Sequence, residues 1–60
     1  MTHELRVTLA LYGLHAGLSL DESFRLIDVM HQEDTGKVYQ LERFTRELVA
    51  RAQEQAAAKA

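Results

Sequence analysis

The sequence contains no cysteine, no proline and no tryptophan, and only three glycines among its 60 residues. Without cysteine the chain forms no disulfide, and it lacks the commonest ligand of structural zinc. A domain of this size buries only about 60% of the surface that its unfolded chain exposes, so a lone copy is expected to be marginally stable. Because these two sources of stability are excluded, we expect the protein to gain stability by oligomerisation.

The chain also lacks a strong charge of either sign and a long apolar run. Its net charge is −2, with 47% hydrophobic and 27% charged residues, which is typical of a globular protein and gives no long-range attraction to nucleic acid or anionic lipid. Arg6, His15, Asp21 and Glu22 interrupt the most apolar stretch, and no run approaches the roughly 20 residues of a membrane helix. The N-terminal residues show no signal-peptide pattern. We expect a cytoplasmic protein without nucleic-acid or membrane partners.

Two helices are predicted in the last two thirds of the chain. Ser19 and Glu22 have the spacing of a capping box, which predicts a helix over residues 20–33. A second helix is predicted over about 37–55, because apolar or small residues recur there every three or four positions. These are Val38, Leu41, Thr45, Leu48 and Ala52. Residues 1–55 form the predicted domain, and the alanine-rich residues 56–60, which have almost nothing to bury, are expected to be frayed or disordered.

The first segment fits two kinds of secondary structure. Residues 5–12 alternate between apolar and more polar side chains, as a strand would. The many leucines and alanines favour a helix instead, over about 3–17, with Thr2 as its N-cap. The favoured fold is therefore all-α, with three helices in a small bundle.

With residues 5–12 as a strand, the order strand–helix–helix resembles the ribbon-helix-helix family of dimeric repressors. That resemblance implies DNA binding, with Arg6 and Thr8 facing the major groove and Lys37 near a phosphate. Only one of the groove-facing positions is strongly polar, and the arginines of the third segment alternate with acids. We keep this repressor as the alternative function.

A second, local resemblance covers residues 16–27. This stretch is similar to the joint between helices in the cytoplasmic domain of inner-membrane F-type proteins of type II secretion and type IV pilus systems. The resemblance implies a joint between two helices. It covers a dozen residues, and no function is carried over from it.

A helical first segment would be apolar on two nearly opposite sides, which a three-helix chain cannot cover by itself. One side is predicted to join the core, which we expect to contain Leu9, Phe24, Ile27, Leu41, Phe44 and Leu48. The other side predicts a homodimer. Its contact residues are expected to be Val7, Leu11, Leu14 and Leu18, with Gly13 allowing close approach of the helices.

The sequence shows no catalytic motif, no nucleotide-binding glycine loop and no metal-ligand spacing. We therefore expect no catalytic residues, no cofactor and no metal. The expected function is non-catalytic: a small regulator, adaptor or inhibitor that binds a larger protein through an apolar helix face. Aromatic, arginine and methionine side chains are enriched at interfaces. This selects Tyr12, Met30, Tyr39 and Arg43 as candidate contacts with that protein.

Overall fold

The fold was analysed in a computed structural model, which describes residues 1–33 and 40–60. Three helices make up most of these residues: α1 (His3–Ala16), α2 (Leu20–Glu33) and α3 (Leu41–Lys59). They pack against one another as a small bundle, and the described ranges contain no strand. The all-α prediction is confirmed. The strand alternative for residues 5–12 is wrong because these residues lie within α1, and the ribbon-helix-helix interpretation required that strand.

Side-chain and backbone caps fix both ends of α1. The Thr2 hydroxyl accepts a hydrogen bond from the amide of Leu5 at 3.1 Å, which satisfies one of the free donors of the first turn. Gly17 ends the helix in the left-handed conformation, with φ 108°. The Leu18 amide then donates to the Gly13 carbonyl at 3.0 Å, which is the closing bond of a Schellman motif. A side chain at Gly17 would be strained, so glycine is required at this joint.

The start of α2 is the predicted capping box. The Ser19 amide donates to the Glu22 carboxylate at 2.9 Å, and the Glu22 amide donates to the Ser19 hydroxyl at 3.1 Å. Only two residues separate Gly17 from the first residue of α2. A joint between two helices therefore lies within residues 16–27, as the second resemblance implies.

At its C-terminal end, α3 differs from the prediction. The sequence predicts an end near residue 55 and a frayed tail, whereas the helix continues to Lys59. Two contacts account for the extra turn. Ala56 packs against the core beside Gly17, and the Lys59 ammonium contacts the Glu22 carboxylate at 2.5 and 2.7 Å. The predicted start of this helix, residues 37–39, lies outside the described residues.

The core lies where the three helices meet. Four of the six predicted core residues, Leu9, Ile27, Phe44 and Leu48, are at most 2% exposed. The other buried hydrophobic residues among those described are Ala10, Leu18, Leu26, Met30 and Ala52. Two predictions need correction. Phe24 is only partly buried, and Leu41 is exposed because it occupies the first position of α3 and points away from the core.

Long charged side chains form ion pairs between α2 and α3 at the rim of the core. Arg51 on α3 contacts the carboxylate of Glu33 on α2 at 2.9 and 3.1 Å, and that of Glu47 on its own helix at 3.1 Å. The contact of Lys59 with Glu22 is a second link between α2 and α3. These links hold α2 and α3 together, and α1 packs against both helices.

Candidate protein-binding surface on the first helix

Three apolar side chains are exposed along the outer side of α1. Val7, Leu11 and Leu14 are 37%, 57% and 42% exposed, and at about 100° per residue they fall within about 60° of arc on the helix surface. We call these three residues the outer stripe. On the side of the same helix that faces the bundle, Leu9 and Ala10 are buried in the core. The helix is therefore apolar on two sides, and the bundle covers one of them.

Two residues predicted for the same contact surface lie elsewhere. Leu18 is only 3% exposed and belongs to the core, because the left-handed Gly17 turns the chain back towards the bundle. Gly13 is also buried, and it faces Ser23 of α2. A β-carbon added at Gly13 would lie 2.6 Å from the Ser23 Cβ. Gly13 does allow two helices to approach closely, as predicted, but these helices are α1 and α2 of the same chain.

Glu4, Thr8 and His15 lie beside the outer stripe on a single flank of α1. All three are exposed, and they share about 40° of arc. The Thr8 hydroxyl donates to the Glu4 carbonyl at 2.9 Å, so its hydrogen bond is made within the helix. Thr8, His15, Leu11 and Tyr12 line a shallow depression of about 400 Å³. The depression therefore joins Leu11 of the stripe to Thr8 and His15 beside it. We call Glu4, Thr8 and His15 the flank.

Arg6 occupies a different side of α1 and is engaged within the chain. Its guanidinium contacts the Asp28 carboxylate of α2 through two nitrogens, at 2.8 and 2.9 Å, and lies 4.3 Å from the centre of the Phe24 ring. The hydrogen bond from Arg6 lowers the pKa of Asp28. The residues expected to face DNA are therefore placed otherwise: Arg6 contacts α2, and the Thr8 hydroxyl contacts its own helix. Lys37 lies outside the described residues.

Of the four candidate contacts with a larger protein, the three that the structure describes are not brought together. Tyr12 is 45% exposed and also lines a groove with Arg46 and Val49 of α3. Arg43 is exposed and borders another depression on α3. Met30 is 2% exposed, so it is a core residue and not a contact residue, because its position on α2 faces the other helices. Tyr39 lies outside the described residues.

The sequence analysis did not predict that the flank residues Glu4 and His15 belong to a binding surface. No binding role was predicted for Glu4 or His15, because each is an ordinary charged or titratable residue at a helix end, where the helix dipole favours it. A helical projection of residues 3–16 would have found them, since it places both next to the stripe. This projection applies only to a helix, so it could identify the flank only after the strand alternative for this segment had been excluded.

No three histidine, aspartate or glutamate side chains of the described residues are grouped so that they could hold a metal ion. Within the same ranges, no helix combines the length and the hydropathy that crossing a lipid bilayer requires. Comparison with protein-family models, with curated proteins and with solved structures finds no match to this chain.

Proposed function

We propose that this chain is a non-catalytic protein-interaction module of the cytoplasm that binds other protein surfaces through the outer stripe of α1. The observation that carries the proposal is the exposure of Val7, Leu11 and Leu14 on one side of a capped helix. Residues at i, i+4 and i+7 are the anchors by which an amphipathic helix occupies an apolar groove or packs on another helix. The binding surfaces proposed are a second copy of the chain and a larger protein on which it acts as a regulator, adaptor or inhibitor.

The stripe is separate from the residues that hold the fold together. The core is filled from the other side of α1 by Leu9 and Ala10, and from α2 and α3 by larger side chains such as Ile27 and Phe44. The three stripe residues contribute little to that core, so folding alone does not explain why they are apolar. Exposed apolar side chains that cluster on one surface are typical of interaction sites.

The proposal is tested by placing a charge in the middle of the stripe. Leu11→Glu puts a carboxylate where an apolar partner surface would dehydrate it, which strongly disfavours association. Leu41→Glu is the matched control, since Leu41 is also an exposed leucine, 45% against 57%, but lies at the first position of α3. Circular dichroism should show that both variants remain as helical as the wild type.

Sedimentation velocity and affinity capture from the native cell are the two measurements. We expect Leu11→Glu to reduce self-association and to lose captured proteins that the wild type and Leu41→Glu retain. If Leu11→Glu keeps the same sedimentation behaviour and the same captured proteins as the control, the stripe is not a binding surface. The proposed function would then be wrong.

A further inference from the structure

We propose that the second copy packs against the outer stripe in the antiparallel sense, with Glu4 of one protomer beside His15 of its partner at both ends of the contact. This inference rests on the proposed function, because it uses the same surface. It adds the orientation of the pair and the polar contacts that set it. The juxtaposition that supports it is an acid and a histidine at opposite ends of one flank of α1.

The apolar residues have the symmetry that such a pair needs. A two-fold axis perpendicular to α1 and midway between Val7 and Leu14 brings Val7 of each protomer opposite Leu14 of the other. It also places the two Leu11 side chains next to each other at the centre. Every exposed side chain of the stripe then meets an apolar one, and no charged group lies between them. Helices paired in this way have axes about 8 to 10 Å apart.

The flank residues meet under the same symmetry. A two-fold axis of this kind keeps each flank on its own side, so the Glu4 flank of one protomer runs beside the same flank of its partner in the opposite direction. Glu4 and the partner's His15 then differ by about two residues along the axis, or roughly 3 Å. A carboxylate accepts a hydrogen bond from a histidine N–H whether the ring is neutral or protonated.

Thr8 fits between these two contacts. Because its hydroxyl donates to the Glu4 carbonyl of its own helix, that group needs no partner across the interface. Its methyl group continues the apolar surface beside Leu11, within the depression that Leu11, Thr8 and His15 line. The flank is therefore apolar at its middle and polar at its two ends, which suits an interface with an apolar centre and a polar rim.

A parallel pair is the competing arrangement, and it has one favourable contact. His3 lies on the other flank of the stripe, so a parallel pair would bring it towards Glu4 of the partner. The same arrangement aligns the two helix dipoles and places both acidic first turns together. An antiparallel pair sets the positive end of each helix beside the negative end of the other. The electrostatics of the helix ends therefore favour the antiparallel pair.

Single cysteines can test the orientation directly, because the chain has none of its own. Tagged Glu4→Cys and untagged His15→Cys proteins are mixed and oxidised mildly. In the antiparallel pair, one Glu4→Cys protomer and one His15→Cys protomer become linked, and the other end of that pair keeps its native Glu4 and His15. We expect this mixed product to dominate over both products that link two identical variants.

Charge reversal is the second measurement, with the dimer dissociation constant read from sedimentation equilibrium. Exposed ion pairs contribute about 0.2 to 1 kcal/mol each. Losing both pairs by Glu4→Lys should therefore weaken the dimer roughly 2- to 25-fold. The double variant Glu4→Lys/His15→Glu exchanges the acceptor and donor positions and should restore most of that loss, while His3→Ala should have little effect.

Two results would overturn the antiparallel pair. A dominant link between Glu4→Cys and His3→Cys protomers, formed when those two proteins are mixed and oxidised in the same way, would show a parallel dimer, which the stripe would still mediate. A wild type that sediments as a monomer at all concentrations, with captured proteins still lost on Leu11→Glu, would show that the stripe binds another protein but not a second copy. In both cases the outer stripe remains a binding surface while this inference fails, whereas the stripe itself is refuted only if Leu11→Glu behaves like the Leu41→Glu control, so the two failures are distinguishable.

Discussion

Substituting alanine for Gly13 should destabilise this protein, although alanine is the better helix former. Gly13 lies in the last turns of α1 and faces Ser23, which is completely buried on α2. An added β-carbon would overlap the Ser23 hydroxyl, lying 2.6 Å from its Cβ and 3.3 Å from its Cα. Ser23 cannot easily move aside, because its hydroxyl donates to the Ser19 carbonyl at 2.8 Å and its side chain is completely buried.

Two opposing effects set the size of the loss. Replacing glycine by alanine within a helix stabilises it by about 1 kcal/mol. Forcing an extra methyl group into a packed core costs typically 1–3 kcal/mol, and here the contact includes backbone as well as side chain. Since the overlap at Gly13 is severe, the upper part of that range applies and the free energy of unfolding should fall by about 1 to 2 kcal/mol. For a domain of this size, each kcal/mol shifts the melting temperature by about 4–8 °C.

Thermal unfolding followed by circular dichroism, at one fixed protein concentration, measures this loss. The control is the double variant Gly13→Ala/Ser23→Gly, which transfers the small residue from α1 to α2 and removes the overlapping atoms. We expect the two substitutions to be strongly non-additive, so that the double variant is more stable than the sum of the single effects predicts. If Gly13→Ala melts at or above the wild-type temperature, the close packing of α1 on α2 at this position is refuted.

The ion pairs support two further predictions, both measured by thermal unfolding. Arg6→Met should lower the melting temperature more than Arg46→Met. Arg6 makes two hydrogen bonds to a carboxylate of another helix and stacks on an aromatic ring, whereas Arg46 pairs with a highly exposed acid on its own helix. Equal losses of melting temperature would contradict this prediction. The hydrogen bond from Lys59, followed by those from Ser19, lowers the pKa of Glu22 from 4.5 to about 2. A carboxylate with a depressed folded-state pKa stabilises the fold above its unfolded pKa and loses that contribution as the pH falls towards the folded value. The melting temperature should therefore decline between about pH 4.5 and pH 2. Lys59→Met should make this decline shallower, whereas the control Arg46→Met should keep it. A Lys59→Met protein with the same pH profile as the control would contradict the prediction.

The sequence predicts the parts of the fold that depend on neighbouring residues. The capping box at Ser19 and Glu22, the cap at Thr2 and the glycine that ends α1 are each specified within a few positions. The all-α architecture follows from these caps and from helix propensity. The strand alternative for residues 5–12 arose because a helix that is apolar on two sides also alternates in the manner of a strand.

Features set by contacts between distant residues could not be predicted in the same way. Leu18 was expected on the surface because its helical spacing matches the stripe, but the chain leaves the helix at Gly17 and carries Leu18 into the core. The last turn of α3 was expected to fray because alanines bury little. It is helical where Ala56 packs against the core and Lys59 contacts Glu22, 37 positions away in the chain. No local pattern contains that information.

The packing side of α1 combines one large buried residue, Leu9, with two small ones, Ala10 and Gly13. Because Ala10 and Gly13 are small, α2 can approach the backbone of α1 closely, and the space at the centre is filled by larger side chains such as Ile27, Phe44 and Leu48. The leucines on the far side of α1 are consequently not needed to complete the core. Their exposed apolar surface is the outer stripe, which we propose as the binding surface. Enlarging the packing side should therefore damage the fold, whereas charging the stripe should damage association and leave the fold intact.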